Sequence, residues 1–222
     1  LSKIIAVVSG GLDSVTMAYH LKAEGHQLHL LAVDYGQRHR KELEFARIAA
    51  DRLDAPFEVA DLSAARNILR GSSLTDTAVD VPSDKGPAQG SPNIVPNRNA
   101  LILSAAFALA VVEQAEAVSF GIMADDIGPA DTSLEFLAAF LAMERVATRG
   151  YARPDLDLLS PLAHLHKDGV IALGDSLHVP WDETWTCFRG EEVHCGRCSA
   201  CWERREGFTK AGVKDPTVYG ER

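Results

Sequence analysis

The sequence predicts an α/β fold, a doubly wound parallel sheet of five strands with a small zinc-binding appendage at the C-terminus. Three observations carry that expectation. Short apolar, β-branched runs alternate with longer stretches of helical periodicity, the pattern of successive βα units. The runs are apolar at consecutive positions rather than every second one, as strands buried on both faces require. All four cysteines lie between Cys187 and Cys201, and the preceding chain has none.

Taken in order, Ile4 to Val8 reads as a buried strand that stops at Ser9-Gly10-Gly11-Leu12-Asp13-Ser14, and Val15 to Leu21 as a helix. Gln27 to Tyr35 is a second strand with an acidic–aromatic tip. Lys41 to Leu53 is periodic as a helix, through Leu43, Ala46, Ile48, Ala49 and Leu53, and Pro56 to Asp61 is a third strand. Residues 61–97, rich in Ser, Asp, Gly and Pro, form a long irregular segment, and such segments inside a compact domain are more often functional or mobile than structural. Asn99 to Ala117 is apolar on nearly every face and predicts a buried helix. Val118 to Ile122 is strand four, Leu134 to Thr148 a helix, Leu158 to Leu162 a short fifth strand and Lys167 to Leu177 a further helix. A metal-bearing tail begins at Trp181 and ends in a helix from Glu203 to Ala211. The expected domains are residues 1–180 and 181–222.

In a doubly wound sheet the ligand crevice lies beyond the carboxyl ends of the strands. That places Ser9 to Ser14, Asp34 to Arg38 and Gly121 to Asp131 around one site. The first strand–turn–helix presents free backbone N–H groups and the positive end of a helix dipole to an anion. Gly10 and Gly11 carry no Cβ to hold the backbone away from it. Ser9 and Ser14 add hydroxyl donors, and Asp13 could orient the loop or hold a metal ion on phosphates. An ordinary βα turn with two glycines is the plainer alternative. The turn has no lysine after its glycines, so it is not a Gly-x4-Gly-Lys loop, nor is it a dinucleotide Gly-x-Gly-x-x-Gly.

Composition narrows the classes. The chain has 222 residues, long enough for one well-buried α/β domain. Its 22 basic against 31 acidic residues leave a net charge of −9, which argues against a broad nucleic-acid surface. No run approaches the roughly 20 apolar residues of a membrane span. Leu1-Ser2-Lys3 leads straight into the first strand, Leu1 reading as the residue after a trimmed start. No leader is read, and the cytoplasm is the expected compartment.

The cysteine spacing is Cys187-x7-Cys195-x2-Cys198-x2-Cys201. Four thiolates satisfy tetrahedral zinc at about 2.3 Å and leave no open position, so one structural Zn²⁺ is expected. An iron–sulfur cluster is an alternative for the same ligands, disulfides a lesser one in this compartment. His194 could replace a ligand, but with four cysteines present it is expected beside the metal or facing solvent.

The word Ser9-Gly10-Gly11-x-Asp13-Ser14 resembles the pyrophosphate loop of the N-type ATP pyrophosphatases. Thr184-Trp185-Thr186-Cys187 and Cys195-Gly196-Arg197-Cys198-Ser199-Ala200-Cys201 make the resemblance sharper. Together with that loop they resemble the 7-cyano-7-deazaguanine synthases, and the likeness runs essentially end to end. Asp34-Tyr35-Gly36-Gln37-Arg38-His39 and Val95-Pro96-Asn97-Arg98-Asn99 match further family words. One stretch departs: Asp125 to Ser133 lacks the family's Cys and Arg after strand four, while Asp126 and Asp131 are kept.

The resemblance implies an adenine nucleotide alpha hydrolase-like, Rossmann-type sheet and a homodimer. It also implies an ATP-dependent C–N ligase that adenylates 7-carboxy-7-deazaguanine, converts it with ammonia to an amide, and activates that amide to the nitrile. The loop favours AMP and pyrophosphate as products. ATP with Mg²⁺ is expected on Val8, Ser9, Gly10, Gly11, Leu12, Asp13, Ser14, Val15 and Asp34. Asp13, Arg98 and Asp131 are the expected catalytic residues, with Asp126 a further candidate for the metal. Gln37, Arg38, Arg98, Asn99 and Asp126 are expected on the substrate. Trp185, Phe188 and Arg189 could stack a purine-like ring, although aromatics packed under a small metal module are commoner. His39 alone would be a surface histidine as readily as a base. With every cysteine committed to metal, nitrogen should come from free ammonium, and no stable nucleic-acid or membrane partner is expected. The rivals are a tRNA-modifying enzyme with the same loop and a zinc module that binds nucleic acid through Arg197, Arg204 and Arg205.

Overall fold

Among the described residues of the computed structural model, five parallel strands form a sheet in the order β3-β2-β1-β4-β5. The structure describes residues 2–83, 92–126 and 129–220. Leu1, residues 84–91 of the irregular segment (Ser91 among them), and Ile127 and Gly128 of the loop after strand four lie outside the described residues.

The strands are β1 (Lys3–Val7), β2 (Gln27–Asp34), β3 (Phe57–Asp61), β4 (Ala117–Ser119) and β5 (Asp157–Leu159). The helices are α1 (Leu12–Ala23), α2 (Glu42–Arg52), α3 (Arg98–Val112), α4 (Leu134–Ala147), α5 (Lys167–Ser176) and α6 (Ser199–Ala211). Side chains alternate across a strand. Ile4, Ala6 and Val8 therefore pack with Val15, Met17, Ala46, Ala49, Val170, Ile171 and Phe208 of α1, α2, α5 and α6. Ile5 and Val7 face the other way, against Leu103, Phe107, Leu137 and Phe140 of α3 and α4. Both faces of the central strands β1 and β4 are covered, which is why these are buried and largely apolar, whereas β3 at the sheet edge leaves Glu58 and Val59 exposed.

β1 pairs with β2 on one side and β4 on the other, so the strand order reverses between β1 and β4. The turns after these two strands flank a crevice at that reversal, the usual ligand position in such sheets.

Several boundaries differ from expectation. Helix α1 begins at Leu12 rather than Val15, because Gly11 takes an extended conformation at the N-cap and Asp13 and Ser14 enter the first turn. An acidic residue there favours the positive helix end. Helix α3 stops at Val112, well short of Ala117, where Gln114 turns left-handed (φ 49°) and the chain re-enters the sheet as β4. β4 and β5 end at Ser119 and Leu159, earlier than the apolar runs suggest, as the chain bends into the crevice loops. Helix α6 starts at Ser199, four residues before Glu203, so Cys201 lies in its first turn.

Candidate active site and metal centre

A cavity of about 320 Å³ occupies the crevice at the reversal point. Its lining brings together Ser9, Gly11, Leu12, Asp13 and Ser14 from the first turn, Phe120, Met123 and Asp126 after β4, and Lys167 at the start of α5. Tyr35, His39 and Glu42 after β2, Arg98 and Asn99 at the start of α3, and Trp185, Thr186, Phe188 and Glu203 from the tail line it as well.

The first turn is braced from within. Ser14 Oγ accepts from the Ser9 N–H at 3.1 Å and donates to the Gly11 carbonyl at 3.1 Å, and the Gly11 N–H donates to Ser9 Oγ at 3.2 Å. Gly10 is required by packing: its φ is +83°, and a Cβ there would lie 2.2 Å from the Glu42 carbonyl oxygen. Val8 and Val15 are buried in the core below the turn and do not line the cavity.

Lys167 Nζ donates to both oxygens of Asp13, at 2.9 and 2.8 Å. Burial disfavours its charge, but Asp13 outweighs that, with help from Glu203 and Asp126, and holds Lys167 above the ordinary lysine range. Burial raises Asp126, whose carboxylate accepts the Met123 N–H at 2.8 Å, and proximity to Asp13 raises it further. Burial pushes the Glu203 carboxyl up to about 7, against the pull of Lys167. One ammonium thus stands among three carboxylates beside the positive end of α1, a place suited to phosphates carrying a divalent cation.

On another wall, Arg98 donates to Asn99 Oδ1 at 3.2 Å and lies over the Tyr35 ring, 5.5 Å from its centre. Burial opposes the Arg98 charge, but Tyr35, Asp131 and Glu42 outweigh it and keep the guanidinium above its ordinary range.

Other expected residues lie elsewhere. Asp131 is absent from the lining: its carboxylate accepts the Asn99 N–H at 3.0 Å and its carbonyl accepts Asn99 Nδ2 at 2.9 Å, clamping the start of α3. Asp34 accepts the Gly36 N–H and pairs with Arg40, closing the turn after β2. Gln37 is buried, accepting the Tyr35 N–H and donating to Val33 O and Glu42 Oε1. Arg38 donates to the carbonyls of Asp76 and Val79, and Arg189 to Val81 O and Ser83 Oγ. These side chains hold the irregular segment against the body rather than face the cavity.

The four cysteines are buried and unpaired as disulfides, with all sulfurs within 4.8 Å of one another. Cys195 and Cys201 sulfurs are 3.9 Å apart, against about 3.8 Å for the edge of a tetrahedron with 2.3 Å metal–sulfur bonds. The Cys195 N–H points to Cys187 Sγ and the Cys198 N–H to Cys195 Sγ, at 3.4 and 3.3 Å. Such bonds favour thiolates, so the donor set fits a metal ion. His194 stays outside the set and is buried rather than solvent-facing. Its Nε2 accepts the Thr186 N–H at 3.1 Å, and burial pushes its pKa down to about 4, with Arg204 adding to the effect.

Lys167 and Glu42 had no pattern of their own in the sequence to mark them, whereas Tyr35 stood in the word after the second strand. A lysine opening a helix beyond a short strand was the available hint for the first.

The family model for queuosine biosynthesis protein QueC matches residues 3–212. A 7-cyano-7-deazaguanine synthase from Rhizobium johnstonii is 44% identical over 223 residues, covering 99% of this chain and 93% of that one. Its counterpart from Brucella ovis is 43% identical over 220 residues, covering 98% and 93%. A solved structure described as a predicted subunit of tRNA methyltransferase, from Methanocaldococcus jannaschii, superposes with a TM-score of 0.53 at 16% identity, over 100% of this chain and 94% of its own, and shows a shared fold. Loop, crevice and cysteine cluster all fall inside the matched stretch, and this chain belongs to the QueC family of queuosine biosynthesis proteins.

Proposed function

We propose that this chain converts 7-carboxy-7-deazaguanine, ammonia and ATP into 7-cyano-7-deazaguanine. The observation that carries the reading is the convergence, in one cavity, of the Ser9–Ser14 turn, the α1 N-terminus, Lys167 and Arg98, in a chain whose relatives bear the name of that synthase.

The α1 N–H groups, Ser9, Ser14 and Lys167 bind the outer phosphates, and Arg98 holds the substrate carboxylate beside the α-phosphate. Positioning two anions together and stabilising the charge that develops accounts for most of the catalysis asked of such a site. A carboxylate oxygen attacks the α-phosphorus and pyrophosphate leaves. Ammonia then adds to the acyl carbon, and AMP departs to leave the amide. The amide oxygen is adenylated by a second ATP, and loss of AMP and the remaining N–H protons gives the C≡N bond. Magnesium, held by Asp13 and Asp126, would neutralise phosphate charge. Because Asp131 clamps α3, its part is to position Arg98 and Asn99.

Zinc on Cys187, Cys195, Cys198 and Cys201 would fix the tail that supplies Trp185, Thr186 and Phe188 to the cavity. Residues 1–180 then form the ATP-binding domain and residues 181–222 the appendage that walls it. The gathering of all four cysteines in one cluster supports free ammonium as nitrogen donor, since no further thiol exists to serve a glutaminase. We read the working form as a homodimer. Among the described residues no helix is long and apolar enough to cross a membrane.

Mass spectrometry of the product from the acid, ATP, Mg²⁺ and ammonium tests the proposal. A nitrile with two AMP released per turnover is expected, and no nitrile from zinc-loaded enzyme would refute it.

A further inference from the structure

The proposed substrate carries a feature that the phosphate end of the cavity does not address. A guanine-type base presents two adjacent donors, N1–H and the 2-amino group, to whatever reads that edge. Two parallel N–H bonds are what a carboxylate accepts in bidentate fashion.

The cavity wall holds one carboxylate apart from the phosphate group of charges. Glu42, at the start of α2, lines the cavity and is about nine-tenths buried. Its field is felt by Tyr35 and Arg98, whereas Asp126 and Glu203 act with Asp13 and Lys167. Its orientation is fixed from behind. Gln37 Nε2 donates to Oε1 at 2.9 Å, and His39 Nε2 stands 3.4 Å from Oε2. Each oxygen keeps a further lone pair. The neighbouring polar groups are already engaged: Asn99 bonds Asp131 through its amide nitrogen and Arg98 through its oxygen, and Tyr35 Oη accepts from Arg98. His39 lines the same wall, and its Nδ1 is buried with no partner. A buried polar atom left unmet is costly, and a ligand group would relieve that cost.

We infer that Glu42 is the specificity-determining residue for the base, accepting N1–H and the 2-amino group, with Gln37 and His39 as positioning residues that hold its carboxylate. The inference rests on the reaction proposed above. It explains why Gln37, buried and away from the cavity, stands in the turn after β2. It also orients the substrate, since the 7-carboxylate lies on the far side of the ring from that edge and so points away from Glu42.

The test compares the natural acid with its analogue lacking the 2-amino group, by calorimetric binding and by KM, in wild type and Glu42→Gln. The wild type should favour the natural acid by about 10- to 100-fold, the range of a hydrogen bond to a charged group. Glu42→Gln keeps an oxygen for Gln37 but turns a donor toward the base, and should bind both compounds within about threefold while the KM for ATP stays put. A wild type that binds the two compounds alike overturns the inference and leaves the reaction standing. So does a zinc-loaded Glu42→Gln enzyme that keeps the wild-type preference. The wild-type comparison needs no variant to fold. Absence of nitrile from a wild type that still prefers the natural acid would instead overturn the reaction.

Discussion

Replacing Lys167 by methionine removes the one ammonium at the phosphate end while keeping the length of the side chain. In the structure Nζ sits 2.8 and 2.9 Å from the two Asp13 oxygens, on a side chain 16% exposed. At that separation the raw attraction is about 6 kcal/mol for an effective dielectric of 20. Desolvation of both groups and the partial exposure of Asp13 reduce the net stability loss to about 1–3 kcal/mol. The larger effect falls on catalysis. Without Lys167, Asp13, Asp126 and Glu203 face incoming phosphates with no opposing charge among them, and a donor to the developing pyrophosphate is gone. Losing one such preorganised donor costs about 10²- to 10³-fold in kcat. Pyrophosphate release, followed with saturating acid and ammonium, reads that loss directly. A zinc-loaded, folded Lys167→Met enzyme within about threefold of wild type would refute the role.

Gly10→Ala should lower stability by about 2–5 kcal/mol, since it combines a left-handed backbone with a clash against the Glu42 carbonyl rather than a movable side chain. A thermal melt should fall by about 5–15 °C, and an unchanged melt would show that α2 can yield. Cys198→Ser should abolish bound zinc and lower the melting temperature, as structural zinc contributes folding free energy; elemental analysis of the wild type finding iron would overturn the choice of metal. The exposed His166–Asp125 pair anchors the start of α5, because Asp125 also accepts the Lys167 N–H at 2.8 Å. The bond to Asp125 raises His166, while for Asp125 burial works upward but the bonds from His166 and Lys167 prevail and hold it low. The pair is therefore fully formed between about pH 4 and 6.5, weakening as pH rises through the raised His166 pKa or falls through the lowered Asp125 pKa. His166→Ala should remove the rise in KM for ATP on the alkaline side, and a wild-type KM flat from about pH 6 to 9 would refute the coupling.

How much of this was legible in the sequence depended on the range of the interactions concerned. The apolar run of β1 and the turn after it are local. The run gave the two-faced burial of Ile4 to Val8, and the Ser-Gly-Gly-x-Asp-Ser turn gave the anion-ready strand–turn–helix, although the helix starts at Leu12 rather than Val15. The cysteine cluster was legible because its ligands fall within fifteen residues. Boundaries set by backbone departures were not. Nothing in the apolar stretch after Asn99 announces that Gln114 adopts a positive φ. Within the site, motif words located the right turns but not the work of each side chain: Gln37, Arg38 and Asp131 brace the backbone, while Lys167 meets Asp13 across 154 residues of chain. Arg204, which composition offers as a basic surface group, is 1% exposed. A lone charge whose partner is distant in sequence leaves no periodic trace.

Arg204 also shows why the cysteine cluster and the cavity are one mechanical unit. Helix α6 has Cys198 at its cap and Cys201 in its first turn, and two residues on it places Glu203 in the cavity wall. From the next position the Arg204 guanidinium donates to Trp181 O at 2.7 Å, Thr184 Oγ1 at 2.8 Å and Thr186 Oγ1 at 3.2 Å. The backbone between those residues crosses the first turn, where the Trp185 N–H donates to Gly10 O at 2.9 Å. A guanidinium stays charged, so burying it is costly unless such acceptors surround it, and burial lowers the Arg204 pKa. Releasing the thiolates would free the start of α6, move Arg204 from its acceptors, and loosen both Glu203 and the turn that carries Ser9 to Ser14. A metal ion held by these thiolates would therefore act on the cavity through the geometry of α6 and the turn it braces.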